Sequence, residues 1–124
     1  MDRAQIEQFV HQILEEAGLD DIPDSFKIDY VKNLGYELQR RLSIIAINSL
    51  DNRSYLDFSK FISRNPDQDF ISVCAFFKER IPHFHALMIR GMQEFKAEIF
   101  ERMKNLRTIK HEVPRFRETE AVEV

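Results

Sequence analysis

Three groups of side chains in this sequence are of types that do chemistry, and their spacing decides how far each reading goes. His83 and His85 flank Phe84. Such a pair can share a metal ion from an extended strand, but on a helix the two imidazoles point about 200° apart. Pro82 stands just before them and predicts a helix start, so a shared metal is not expected; His11 and His111 lack a Cys or His at ligand spacing. Cys74, the single cysteine, lies between Val73 and Ala75 with only Lys78 one turn away. A thiolate nucleophile needs an electropositive, partly exposed setting, so the spacing predicts a buried structural thiol. The carboxylate pairs Glu15-Glu16 and Asp20-Asp21 fall at a helix end and in a turn, and residues 20–24 depart at once from the pattern of a calcium loop. Three scattered glycines cannot cradle a phosphate, and no G-x-S-x-G or Walker-type loop is present. The expectation is a protein that is not an enzyme and holds neither metal nor cofactor.

Charge supplies the next signal. The net charge is −3, but residues 1–24 carry seven acids against Arg3 alone. Near the other end Arg102, Lys104, Arg107, Lys110, Arg115 and Arg117 face only Glu101 and Glu112. Lys104, Arg107 and Lys110 recur at about one helical turn. Cations at a helix C-terminus relieve the macrodipole without any ligand; the same set is the one basic patch that could meet phosphate or an acidic protein.

The elements that carry these residues read as helices. Glycine and proline are scarce, at three and four in 124 residues, which argues against a sandwich or barrel and for long helices. In the first helix, expected over residues 3–17, Ile6, Phe9, Val10, Ile13, Leu14 and Ala17 form one stripe at the α period. Asp2 with Gln5 predicts a capping box, and Gly18 followed by Leu19 a Schellman stop with Leu19 against Leu14. The second helix, over 24–50, shows a seam of Val31, Leu34, Leu38, Leu42 and Ile45, with Ile44-Ile45-Ala46-Ile47 widening its buried face. Gly35 beside that seam suits close approach by another helix. Ser54 with Asp57 predicts a cap for a short third helix to Ser63, and Asn65-Pro66 one for a fourth over 66–80. Pro82 separates these from a fifth helix over 83–107, with Leu87, Met88, Met92, Phe95, Ile99, Met103 and Leu106 as its stripe. The result is an all-α bundle of about five helices, two long and antiparallel with three shorter ones packed on them. Residues 1–107 form the bundle domain; residues 108–124, aperiodic and holding Pro114, are expected as a flexible charged tail.

Several of these signals occur together in a known order. Residues 14–19 (L-E-E-A-G-L), Ile22-Pro23-Asp24, residues 38–42 (L-Q-R-R-L), Leu56-Asp57-Phe58 and residues 77–82 (F-K-E-R-I-P) resemble a small uncharacterised all-helical family, a domain of unknown function common in candidate-phyla-radiation bacteria. The likeness spans roughly residues 5–105. It implies a helical fold and a bacterial cytoplasmic origin, and it assigns no activity and no residue roles. The extra phenylalanines and the His83/His85 pair depart from the family's pattern.

Eleven phenylalanines and no tryptophan leave the core to phenylalanine. Two seam-like helices plus Phe-dense third and fourth helices promise more apolar surface than a chain of this length hides. The leading expectation is therefore a non-enzymatic module that self-associates or docks a helical partner, with Phe58, Phe61, Phe76, Phe84 and Phe95 as contact residues. A nucleic-acid or ribosome-associated protein using the basic set is second. One cysteine suits a reducing cytoplasm, the acidic residues 1–20 carry no signal-peptide run, and no apolar stretch is long enough for a membrane span.

Overall fold

The computed structural model describes residues 2–19 and 22–112, with side chains only as far as residue 104. Five helices follow one another: α1 (Arg3–Glu16), α2 (Asp24–Asn48), α3 (Asn52–Arg64), α4 (Phe70–Arg80) and α5 (Phe84–Glu112). No strand occurs among the described residues. The fifth helix runs past the expected end at Arg107 to Glu112; the rest of the expected tail lies outside the described residues.

Local chemistry sets the boundaries. The Asp2 side chain accepts from the Gln5 amide at 2.9 Å while Gln5 Oε1 accepts from the Asp2 amide at 2.9 Å, so the capping box forms as expected. Gly18 takes φ 76°, and the Leu19 amide donates to Leu14 O at 2.9 Å and the Gly18 amide to Glu15 O at 3.0 Å. These two bonds are the Schellman closure of α1.

The next two starts differ from the expectation. Asp51, not Ser54, caps α3: its carboxylate accepts from the Ser54 amide at 2.7 Å. A carboxylate is the stronger acceptor and sits three residues earlier, which places Ser54 in the first turn. Likewise α4 starts at Phe70 beneath Asp69, whose Oδ1 accepts from both the amide and the hydroxyl of Ser72. Asn65 is turned the other way: its Nδ2 donates back to Phe61 O at 2.9 Å and closes the end of α3. One asparagine serves one helix end, so α4 waits for the next acceptor.

The two long helices make the largest interface, and they run antiparallel. Tyr30 meets Met103, Glu37 meets Arg102 and Arg41 meets Glu98, so residue numbers rise on one helix as they fall on the other. At Gly91 the ends of α2 side chains pack against the α5 backbone: a Cβ there would lie 2.8 Å from Leu42 Cδ2 and 2.9 Å from Ile45 Cδ1. Gly91 stands on the apolar stripe of α5, where a side chain would have to push the ends of Leu42 and Ile45 aside. Helix α1 lies against α2 and α5, and α4 against the same pair. The core is one cluster that includes Ile6, Val10, Leu14, Leu38, Leu42, Phe77, Phe95 and Ile99, all fully buried. Within the apolar run of α2, Ala46 is buried but Ile44 is exposed, so the run widens the buried face by less than its composition suggests.

Between α4 and α5 the chain turns through His83, whose φ of 60° is the left-handed region. A non-glycine residue there costs of order 1 kcal/mol. His83→Gly is expected to stabilise the fold by about 0.5–1 kcal/mol in urea denaturation, the local strain outweighing the added freedom of the unfolded chain. A loss of stability would show that the imidazole makes a contact that outweighs its backbone strain.

Candidate functional site

Four of the expected contact phenylalanines, Phe58, Phe61, Phe76 and Phe84, join one aromatic cluster with Phe77. Phe77, on α4, is fully buried, with ring centroids of Phe58 at 5.2 Å, Phe76 at 6.2 Å, Phe70 at 6.3 Å and Phe84 at 6.3 Å. Phe61 stacks on Phe76 at 5.5 Å, and the Arg80 guanidinium covers the Phe76 ring at 3.7 Å. Phe58, Phe61, Phe76 and Phe84 are thus half-buried against one another. Phe95 is 0% exposed and offers no contact surface; it sits on α5 under the Arg41 guanidinium, 5.4 Å away. Its place on the apolar stripe, with Ile99 and Met103, puts it in the seam.

The basic set is also only partly a surface. Arg102 donates to both oxygens of Glu37, at 3.1 and 2.7 Å, and to Glu98 at 3.0 Å. Arg41 grips both oxygens of Glu98 from α2. Lys104 is exposed, the side chains of Arg107 and Lys110 lie outside the described residues, and so do Arg115 and Arg117 entirely. The four-membered network across α2 and α5 is a clamp, and it has a clear effect on protonation. Hydrogen bonds from Arg41 and Arg102 draw the Glu98 carboxyl down to about 2, and the Arg102 bond lowers Glu37. A carboxylate held ionised in this way donates no proton near neutrality.

Backbone and hydroxyl bonds from Ser54 and Ser72 likewise lower Asp51 and Asp69. Each of these carboxyls binds its proton less readily folded than unfolded. The stability they contribute is therefore complete above the ordinary carboxylate range and is lost as pH falls through the lowered values. The denaturation midpoint is expected to drop between about pH 4.5 and pH 2. Solvent screening holds each half-exposed pair to about 1 kcal/mol or less, and Glu98→Gln should flatten part of that slope. A midpoint independent of pH in this window would contradict the clamp.

Neither of the other chemical candidates gathers partners. His83 lies in the turn before α5 and His85 in its first turn, both exposed. No group of three or more His, Cys, Asp or Glu residues suited to a metal occurs among the described residues. Cys74 is half-buried, and burial pushes its thiol up from the ordinary value, away from the thiolate.

Among the hollows that the described residues leave open is a groove between α1 and α2 of about 360 Å³. Antiparallel pairing of the two helices, with Ile6 of α1 facing Gly35 of α2, sets its floor. Ile6, Val31 and Gly35 are buried there. Two large apolar side chains of α2 flank the floor and stay exposed, Ile28 at 67% and Tyr36 at 53%. Arg3, Glu7 and His11 line the α1 wall, one above the other at helical spacing. No protein-family model, curated protein or solved structure matches this chain. The groove therefore has to be read from its own residues.

Exposed positions leave little pattern in a sequence, so this face is not legible there. Ile28, Lys32 and Tyr36 recur every four residues along α2, beside the Leu34–Leu38–Leu42 seam. In a sequence such a stripe looks like the margin of the core. Only the placement of α1 shows that it stays uncovered. No helix among the described residues is long and apolar enough to cross a membrane.

Proposed function

We propose that this chain is a non-enzymatic helical interaction module that docks a helical protein partner in the groove between α1 and α2. The observation that carries this is the pairing of Ile28 and Tyr36, both exposed, over an apolar floor of Ile6, Val31 and Gly35. Scattered exposed apolar residues are ordinary on a protein surface; two of them lining one groove over a buried floor are the arrangement into which an amphipathic helix lays its apolar side. Tyrosine suits such a site, since it gives contact area at low entropic cost and keeps a polar tip in water. The surplus apolar surface expected of the phenylalanines thus falls mainly on α2, where Phe26 and Ile44 are exposed as well.

Two further points support a binding role. Arg102 is committed to Glu37 and Glu98, so a phosphate-binding surface built on it would first have to break the clamp. The family resemblance carries a bacterial cytoplasmic setting into this reading and adds no activity.

The test is the size of the species that holds the protein in native lysate. The wild-type chain is expected to elute well above its monomer mass of 14.8 kDa, and an Ile28→Glu/Tyr36→Glu variant to fall to the monomer position. Both substituted side chains are exposed, so the purified variant should keep its unfolding free energy within about 0.5 kcal/mol. Elution of both forms at the monomer position, or of both in the larger species, would contradict the proposal.

A further inference from the structure

The charge around the groove narrows the partner further, on the reading that the groove is the docking face. We propose that it receives an amphipathic helix whose apolar stripe is bordered by carboxylates. Arg3 stands on the α1 wall and Lys32 on the α2 wall, against one lining carboxylate, Glu7. That rim is basic in a chain whose net charge is −3 and whose first 24 residues are strongly acidic, so it runs against the surrounding field. Arg3 reaches Asp69 only at 3.4 Å and remains 64% exposed, which leaves its guanidinium accessible to a second acid.

The shape fits a helix in particular. From Ile28 to Gln39 the α2 wall runs roughly 16 Å at 1.5 Å per residue, three turns of a partner. A third helix laid between two antiparallel ones packs at about 8–10 Å from each axis. Gly35, which brings no side chain to the floor, gives it depth: the nearest atom to a Cβ built there is Ile6 Cγ2, at 3.7 Å. Cations on both walls then meet acids on both borders of the incoming stripe, which fixes its orientation as well as its identity. A phosphate or a nucleic-acid backbone would use the cations but gain nothing from the exposed apolar surface of Ile28 and Tyr36.

Two fifteen-residue helical peptides test this against the full-length chain, with binding followed by amide NMR shifts. Both carry leucines at i, i+4, i+7 and i+11; one is bordered by glutamates, the other by lysines. The glutamate peptide is expected to shift the amides of Ile6, Ile28, Lys32 and Tyr36 and to bind about tenfold more tightly at low salt, as two exposed ion pairs allow. Arg3→Glu/Lys32→Glu should erase or invert that preference. Equal affinity of both peptides at the same amides would overturn the charge selection while leaving docking in the groove intact. Shifts confined to other surfaces, or no binding of the glutamate peptide, would also overturn it, and the lysate experiment decides the docking reading separately.

Discussion

Phe77→Ala is expected to destabilise the protein by about 3–5 kcal/mol, a large share of the 5–15 kcal/mol that holds a domain of this size folded. Phe77 is fully buried, and its ring neighbours come from three helices: Phe58 from α3, Phe70 and Phe76 from α4 itself, and Phe84 from α5. Alanine removes the ring that these four pack on and leaves a cavity that stacked aromatics collapse into poorly. The loss should not be uniform. Helix α3 has no fully buried residue and is held to α4 by Phe58 and Phe61. Urea denaturation reads the total, and amide hydrogen exchange should show α3 losing protection before α2 or α5. A cost below about 1 kcal/mol would mean that the cluster is not the joint that attaches α3.

Phe95→Ala should cost a similar 3–5 kcal/mol, for a different reason. Phe95 is fully buried on the face of α5 turned to α2, one turn beyond Gly91. The Arg41 guanidinium lies over its ring, and Arg41 also holds Glu98, so the ring supports one end of the charged clamp. Truncation should therefore lower stability and also weaken the acid-sensitive part of it, since Glu98 loses a well-positioned partner. Phe95→Leu, which keeps most of the volume, should cost under about 1.5 kcal/mol. Were Phe95 a partner contact, alanine would leave the midpoint unchanged and affect binding alone.

The helices themselves were legible where local chemistry acts over four residues. Asp2 with Gln5, and Gly18 with Leu19, identify both ends of α1 because each motif is complete within one turn. The antiparallel α2–α5 pair was legible too, because each helix carries an unbroken apolar seam. Misreadings arose where two residues competed for one role. Ser54 and Asn65 are good caps by type, yet Asp51 and Asp69 hold the amides through carboxylates, and Asn65 is occupied by the helix behind it. The site was harder still. Half-burial of Phe58, Phe61, Phe76 and Phe84 depends on α3 folding back over α4 through the turn at residues 65–69, and no period in the chain encodes that. Whether Ile28 and Tyr36 are core margin or open surface depends on which side of α2 is covered by α1. Both are tertiary facts.

A photo-crosslinking amino acid in place of Tyr36 reads the central claim, docking in the α1–α2 groove, most directly. Tyr55, an exposed aromatic on α3, is the control position in the same cells. Docking in the groove should give a discrete protein adduct from position 36 that Ile28→Glu abolishes, with little or none from position 55. Adducts from position 55 alone, or equal adducts from both that Ile28→Glu leaves unchanged, would contradict it.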